Sequence, residues 1–231
     1  MFGALGDIHG DFASVRRIME RHPDVPFWLC VGDVADADGR YEPVAAPLYW
    51  IKGNNENFDR IAAGDLPSGL HYIPNGAAIQ IGDRAVAGIR DLTVAGLGGT
   101  FAPTMYDMSP EHLPHPRKGT PNATELADRR RHFVRAEVDA CKTLHGVDVL
   151  LTHEAPRPFR MRAAGGRPGN DAGKTPINEV LAAMRPRLHL FGHHHRFVES
   201  ETAGIRSVCL DLVSRSYLLV DPQTLQYDVV L

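Results

Sequence analysis

Short apolar runs separated by glycine and polar residues recur along the chain and predict buried strands. These runs are apolar throughout or nearly so, which is typical of strands covered on both faces of a sheet. Each is four or five residues long, as a buried strand usually is. The runs that we interpret in this way lie at 2–5, 27–31, 48–51, 147–151 and 188–191.

Helices are predicted between these strands. The apolar residues Phe12, Val15, Ile18 and Met19 repeat every three or four positions and predict a helix to about residue 21. The pair Asn122 and Glu125 resembles a capping box and predicts a second helix from 122 to about 144. A third helix is predicted with Thr175 as its N-cap and Pro176 at its first position.

Further apolar runs in the middle and at the end of the chain predict hairpins. Strand–helix units first and hairpins afterwards favour the α/β class, as a sandwich of sheets flanked by helices. Two irregular segments, 100–122 and 155–174, are expected to shape a cleft. The runs are 77–81, 85–89 and 93–95, read as a meander, and 197–201, 205–209, 216–220 and 225–230, read as antiparallel strands.

Polar residues with metal-binding side chains follow the five buried runs directly. Because the carboxyl ends of such strands meet at one edge of a sheet, these side chains are expected to lie together. The motifs are Gly6-Asp7-Ile8-His9-Gly10, Gly32-Asp33, Gly53-Asn54-Asn55-Glu56, Thr152-His153-Glu154 and Gly192-His193-His194-His195.

Carboxylate, imidazole and amide groups in this number are a ligand set for two divalent metals. Two dications about 3.5–4 Å apart, bridged by a carboxylate, deprotonate a water that attacks phosphorus in line. Asp33 stands centrally in the motif order and is the expected bridge. Residues 7 and 9 are two positions apart, as are residues 193 and 195. In an extended chain such residues point to the same side, so both members of each pair can reach one site. The sequence therefore predicts hydrolysis of a phosphate ester.

Composition changes this interpretation little. A chain of 231 residues is expected to form one domain, 1–231. Its content of 43% apolar and 23% charged residues is ordinary for a globular protein. A net charge of −3 means that attraction for phosphate must be local. The N-terminus reads as a strand without a signal peptide, and no run is long enough to span a membrane. Three scattered cysteines favour a reducing cytoplasm.

At these motifs the chain resembles the calcineurin-like metallophosphoesterase superfamily, whose pattern is D-x-H, GD, GNH-[DE], H and GH-x-H. The resemblance covers residues 7 to 195. It implies a four-layer α-β-β-α sandwich of two mixed sheets that binds two metals, with Mn²⁺ and Fe²⁺ favoured and Zn²⁺, Ni²⁺ and Co²⁺ as alternatives. It also implies one metal held by Asp7, His9, Asp33 and His195 and another held by Asp33, Asn54, His153 and His193.

A narrower likeness concerns the middle of the chain, which resembles the lariat-debranching group. That group cleaves 2′,5′-phosphodiesters at RNA branch points, so the likeness implies a diester substrate. The segments that carry it are 94–99, the arginine-rich stretch around 132–135, and 151–157.

Asn55 departs from the family pattern, which has histidine there, near the leaving-group oxygen. An amide can donate a hydrogen bond but cannot release a proton at working pH. The resemblance makes Asp33, Asn55 and His153 the catalytic residues, with weak activity expected on poor leaving groups. His115 and His194 are candidates for the missing proton donor, although alternation predicts that His194 packs away from the site. Glu56 is interpreted as a turn residue.

Two arginine clusters offer local positive charge. Residues 129–131 and 135 are expected on the long second helix. The other cluster, at 157, 160, 162 and 167, follows His153, so Asn55, Arg157 and Arg160 are the expected substrate contacts.

Three function classes follow. The favoured one is a phosphodiesterase acting on a nucleotide, RNA or DNA. The second is a phosphomonoesterase or protein phosphatase, and the third is a non-catalytic scaffold. The sequence indicates no protein partner and leaves the oligomeric state open.

Overall fold

The computed structural model describes residues 1–82, 91–116, 127–162 and 168–231. Its helices are α1 Phe12–Arg21, α2 Phe58–Ala63, α3 Arg135–Lys142 and α4 Thr175–Met184. Its strands are β1 Phe2–Leu5, β2 Trp28–Cys30, β3 Leu48–Trp50, β4 Leu70–Tyr72, β5 Ala78–Ile81, β6 Leu92–Leu97, β7 Thr100–Phe101, β8 His132–Phe133, β9 Val149–Thr152, β10 Arg160–Arg162, β11 Pro168–Asp171, β12 Leu188–Phe191, β13 Val198–Thr202, β14 Ile205–Cys209, β15 Tyr217–Val220 and β16 Tyr227–Val230.

Two mixed six-stranded sheets carry the predicted buried strands. The first has the order β16-β15-β1-β2-β3-β4, with β1 to β4 parallel and the two C-terminal strands antiparallel. The second has the order β13-β14-β12-β9-β6-β5, with four parallel strands between two antiparallel edge strands. The pairs β7–β8 and β10–β11 form two small sheets. Each large sheet therefore gathers parallel carboxyl ends at one edge.

The two sheets pack face to face, and alternation along each strand decides which residues form the shared core. In the first sheet Phe2 and Ala4 point to the partner sheet, while Trp28 and Cys30 belong to the helix-covered face. In the second sheet Leu151 lies in the same core between the sheets. Successive residues of a strand thus face the partner sheet and the helices in turn. Because both faces are covered, the predicted runs are apolar on both.

Helices cover the outer face of each sheet. The apolar stripe of α1, with Val15 and Met19, packs on Trp28 and Trp50 of the first sheet. Helices α3 and α4 pack on the outer face of β6 and β9. Each fully buried aliphatic or aromatic side chain contributes about 1.5–3 kcal/mol. The architecture is the predicted four-layer α-β-β-α sandwich.

The prediction of a long helix from 122 to 144 is wrong. Residues 117–126, which include its expected N-cap Asn122, lie outside the described residues. Arg129–Arg131 form a single 3₁₀ turn, and β8 then pairs with β7 before α3 begins at Arg135. Phe133 and Val134 are fully buried in this short extended stretch, so tertiary burial overrides the local helix signal.

Smaller corrections concern helix α4 and the C-terminal strands. Thr175 is the first residue of α4 and not its cap, which is Lys174. Of the predicted antiparallel tail strands, β14 runs parallel to β12 and antiparallel to β13. The next strand, β15, crosses to the first sheet and pairs with β1. The predicted strand at 85–89 lies outside the described residues. In the described part of the chain, no helix combines the length and apolar character that a bilayer span requires.

His189 is a fully buried polar residue on β12. Its Nε2 lies 2.9 Å from Thr152 Oγ1 and its Nδ1 lies 3.0 Å from Ser207 Oγ. The Thr152 hydroxyl donates to the carbonyl of Glu154, so it accepts from His189 Nε2–H, and burial keeps the imidazole neutral. Burial lowers the pKa of His189 to about 3.

The free energy of unfolding is expected to fall below pH 6.5 because of His189. Its folded pKa of about 3 lies below the unfolded value, so the unfolded state binds a proton first as the pH drops. At pH 5 this group alone accounts for about 2 kcal/mol of lost stability. Urea unfolding of the wild type and His189→Gln from pH 7.5 to 5 measures the difference. Parallel pH curves for the two proteins would contradict the assignment.

Candidate metal centre

The candidate ligands come from the carboxyl ends of parallel strands in both sheets. Asp7 and His9 follow β1, Asp33 follows β2, and Asn54 follows β3. His153 follows β9 in the second sheet, and two further histidines, His193 and His195, follow β12. Because the two sheets pack face to face with these ends at the same side, the five motifs meet.

The first ligand cluster consists of Asp7, His9 and His195, whose candidate ligand atoms all lie within 4.8 Å of one another. His195 Nε2 is 3.1 Å from Asp7 Oδ2, and His9 Nε2 is 3.1 Å from His195 Nε2. Two imidazole nitrogens and a carboxylate oxygen therefore point at one volume, which is the arrangement that a divalent cation requires.

The second ligand cluster consists of Asp7, Asp33 and His153, also within 4.8 Å. His153 Nε2 lies 3.1 Å from Asn54 Oδ1 and 3.6 Å from Asp33 Oδ1. His153 Nδ1 is 2.8 Å from the Val31 carbonyl, to which it donates. This hydrogen bond leaves the lone pair on Nε2, the atom that faces the cluster.

Asp7 belongs to both clusters, and Asp33, a member of the second, also faces the first. Its Oδ1 faces His153, and its Oδ2 is 3.5 Å from His9 Nε2. Burial alone would raise the pKa of Asp33, but His153, His9 and hydrogen bonds from Asn55 outweigh burial and lower it. The carboxylate is therefore anionic and reaches toward both clusters, as a bridging ligand does.

The chain adopts a left-handed backbone at four of the candidate ligands. The φ angles are 47° at His9, 51° at Asp33, 69° at His193 and 48° at His195. Non-glycine residues rarely adopt this conformation, and strain of this kind concentrates at functional sites. It turns these side chains into the space between the sheet ends.

Two glycines allow the backbone to pass close to the carboxylates. A Cβ at Gly53 would lie 1.9 Å from Asp33 Oδ1, and a Cβ at Gly192 would lie 2.2 Å from Asp7 Oδ1. Neither position can hold a side chain without displacing a candidate ligand.

His193 and His194 have different surroundings. The backbone N–H of His193 donates to Asp7 Oδ2 at 2.9 Å, and its ring lies 5.0 Å from that of His153. Burial lowers the pKa of His193 to about 4, so the imidazole is neutral and can serve as a ligand. His194 points away and packs on Phe159 at 4.5 Å between ring centroids, in agreement with its predicted packing role.

Asn55 and Glu56 organise the loop around Asp33. The backbone N–H of Asn55 donates to Asp33 Oδ1 at 2.8 Å, and its Nδ2 donates to Asp33 Oδ2 at 3.0 Å. The Glu56 carboxylate accepts backbone hydrogen bonds from Val34, Ala35 and Gly53, as a turn residue does. Its removal from solvent raises the pKa of Glu56 to about 7.

An open cleft of about 490 Å³ adjoins the clusters. Among its walls are His9, Asn54 and Asn55 from the motifs, together with Phe58 and Arg131. Neither His115 nor His194, the candidate proton donors, is among the residues that line it. The described cleft wall contains no other histidine than His9.

The arginines expected to contact substrate lie elsewhere. Arg157 pairs with Asp171 at 2.8 Å and lines a separate cavity that includes Lys174. Arg160 lies exposed on β10. Neither lines the cleft beside the clusters, so their contact with substrate stays a prediction.

Arg131 and Asp128 are among the cleft residues for which sequence reasoning predicted no role at this site. Both belong to the arginine-rich stretch, which the sequence placed on a solvated helix. The 3₁₀ turn and the β7–β8 pairing bring this stretch to the cleft. No local sequence pattern predicted either of them.

The donor set fits two divalent cations. The two clusters combine carboxylate, imidazole and amide oxygen ligands, and His153 has its free nitrogen fixed by a backbone carbonyl. Hard and borderline divalent metals take such mixed oxygen and nitrogen ligands. This fit does not select among Mn²⁺, Fe²⁺ and the alternatives.

Comparisons with known proteins agree with this geometry. The calcineurin-like phosphoesterase family model matches residues 1–197. The lariat debranching enzyme of Schizosaccharomyces pombe is 22% identical over 204 residues, which are 81% of this chain and 42% of that protein. The chain thus spans less than half of this relative. The match confirms the looser resemblance to the debranching group.

Solved structures share the fold. The Thermus thermophilus protein TT1561 superposes with a TM-score of 0.62 at 14% identity, covering 99% of this chain and 97% of the other. The phosphopantetheinyl hydrolase of Mycobacterium tuberculosis gives 0.53 at 16% identity, covering 100% and 95%. The family model covers the strand ends that carry all five motifs, and the chain belongs to the calcineurin-like phosphoesterase family.

Proposed function

We propose that the protein is a dimetal-dependent phosphodiesterase that cleaves a nucleotide or nucleic-acid phosphodiester. The observation that carries the proposal is that the first and second ligand clusters share Asp7 and lie beside an open cleft. A cluster of ionisable groups at one sheet edge is costly unless its members are paired or coordinate a metal. The open cleft gives a substrate direct access to them.

The proposed ligands of one metal are Asp7, His9, Asp33 and His195, and those of the other are Asp33, Asn54, His153 and His193. Bound dications would supply an activated water and neutralise charge on the phosphoryl oxygens. Mn²⁺ or Fe²⁺ is the proposed metal. The three cysteines are free and buried, which supports a reducing compartment such as the cytoplasm.

The chain's own residues hold this arrangement in place. Asn55 fixes both oxygens of Asp33 through two hydrogen bonds. The His193 backbone N–H fixes Asp7, and the Val31 carbonyl fixes the ring of His153. Ligands that are oriented before substrate arrives need no reorganisation during the reaction. We also propose that residues 1–231 work as one domain, since one core contains residues of both sheets.

Three observations support a diester over a monoester. Asn55 provides no acid at the leaving group, which suits diesters with good leaving groups. The likeness to the debranching enzyme points to the same bond type. The cleft also has room beyond a phosphoryl group, as the second ester substituent requires.

Hydrolysis of bis(p-nitrophenyl) phosphate and p-nitrophenyl phosphate tests the proposal. Protein stripped by chelator and refilled with Mn²⁺ is expected to cleave the diester at least about tenfold faster. Release of p-nitrophenolate measures both rates, and protein without added metal is the control. Faster cleavage of the monoester would replace the proposal by a phosphomonoesterase. Two bound metals with neither activity would favour a non-catalytic scaffold.

A further inference from the structure

Arg131 is the sole arginine or lysine among the described residues that line the cleft. Its side chain is half-buried, and within the described part of the chain its guanidinium has no ion pair or hydrogen bond. Its neighbour Arg130, by contrast, pairs with Asp128 at 2.5 Å and Asp59 at 2.8 Å. In the described structure, none of the five N–H donors of Arg131 at the cleft is therefore used.

The carboxylates in the cleft wall already have other partners. Asp128 accepts from Arg130, and Asp36 Oδ1 accepts from the backbone N–H groups of Asp38 and Arg40, each at 2.8 Å. The third, Glu56, accepts from the backbone N–H groups of Val34, Ala35 and Gly53. None of the three is bonded to Arg131, although all line the same space. Among the described residues, the Arg131 guanidinium thus has no bonded partner, so its donors can bind a ligand.

The turn that carries Arg131 is anchored to the metal-binding loop. Lys52, buried directly before Gly53, donates from Nζ to the carbonyls of Arg130 at 2.9 Å and His132 at 3.2 Å. These two carbonyls flank Arg131 in the chain. The backbone of Arg131 is thus fixed relative to Asn54, and a preorganised cation loses less freedom when it binds.

The scissile phosphate does not need this cation. Arg131 belongs to neither ligand cluster, and two metals bound there would already supply the positive charge that the reacting phosphoryl group needs. The cleft volume of about 490 Å³ lies within the range of about 300–1,000 Å³ typical of small-molecule sites. Such a volume accommodates more of the substrate than the reacting group.

We propose that Arg131 binds a second phosphate, which the substrate carries in addition to the scissile diester. The substrate class is then a small phosphodiester with a further phosphate, such as a nucleotide diester phosphorylated on its sugar. This inference rests on the proposed function. In the reaction, water adds to the scissile phosphorus, the bond to the leaving oxygen breaks, and that oxygen takes a proton. The second phosphate is retained unchanged.

Two matched substrates test the inference. Thymidine 5′-(p-nitrophenyl phosphate) and its 3′-phosphorylated form share the scissile bond and leaving group and differ by one phosphate. The Mn²⁺-loaded wild type is expected to prefer the 3′-phosphorylated form by about 10–100-fold in kcat/KM, mainly through KM. Arg131→Ala is expected to lose this preference, and Arg131→Lys to retain part of it. Arg129→Ala, in the same turn but outside the cleft wall, is the matched control and keeps it.

A binding measurement separates this inference from the proposed function. Calorimetry compares thymidine 3′,5′-bisphosphate with thymidine 5′-monophosphate on the same Mn²⁺-loaded proteins, and it needs no turnover. Tighter binding of the bisphosphate that Arg131→Ala abolishes would support the inference even without hydrolysis. Equal binding of both ligands by the wild type would overturn it. An equal decrease in kcat/KM for the two matched substrates in Arg131→Ala would also overturn it, because Arg131 would then contact the scissile phosphate.

Discussion

Replacing Asp33 by asparagine is expected to lower metal-dependent diester turnover by at least about 10³-fold. The Asp33 carboxylate faces His153 with one oxygen and His9 with the other, so it is the proposed link between the two metals. An amide has the same shape but no charge, and its NH₂ end cannot coordinate a cation. The initial rate with bis(p-nitrophenyl) phosphate and the metal content per chain measure the effect.

The substitution is suited to this position because asparagine tolerates a left-handed backbone, which Asp33 adopts with a φ of 51°. Loss of activity should therefore not reflect unfolding, and the melting temperature checks this. Asp38→Asn removes the same charge from an exposed residue of the neighbouring loop and is expected to retain activity within about twofold. An Asp33→Asn protein with two metals and more than a tenth of wild-type activity would refute the bridging role.

Replacing Asn55 by histidine is expected to raise turnover of diesters with poor leaving groups by about 10²-fold or more. Asn55 lines the cleft, yet one N–H of its amide is used by Asp33 and the other cannot release a proton at working pH. An imidazolium at this position could transfer a proton to the departing oxygen. Methyl p-nitrophenyl phosphate and methyl phenyl phosphate share the retained group and differ in the basicity of the leaving group, so their ratio of kcat/KM reports this step.

The diagnostic result is a change of that ratio and not of the overall rate. Asn55→Ala removes the hydrogen bond to Asp33 without adding an acid, so it should slow both esters in the same proportion. Asn55→His should favour the phenyl ester selectively and add an ionisation to the pH–rate profile. An unchanged ratio in Asn55→His would mean that the leaving group lies elsewhere in the cleft.

The buried strands and the order of the motifs were predictable because both are local features. An apolar run of four or five residues has few alternatives to a buried strand, and β1, β9 and β12 lie where the pattern placed them. Glycine next to Asp, Asn or His at four of the strand ends, and Thr152-His153-Glu154 at the fifth, marked the residues that the fold then brought together. The helix predicted over the arginine-rich stretch was wrong for the same reason, since a local helix signal contains no information on the burial of Phe133.

The sequence by itself determined the α/β class, the strand ends that carry the polar motifs, and the residue types available to two metals. Only the tertiary structure brought His9 within 3.1 Å of His195, a residue 186 positions away, and turned one oxygen of Asp33 to His9 and the other to His153. It also left Arg131 in the cleft without a partner among the described residues, while Arg157 pairs with Asp171. Strand pairing and turn anchoring join distant segments, and their free energies depend on burial that no short window of sequence contains.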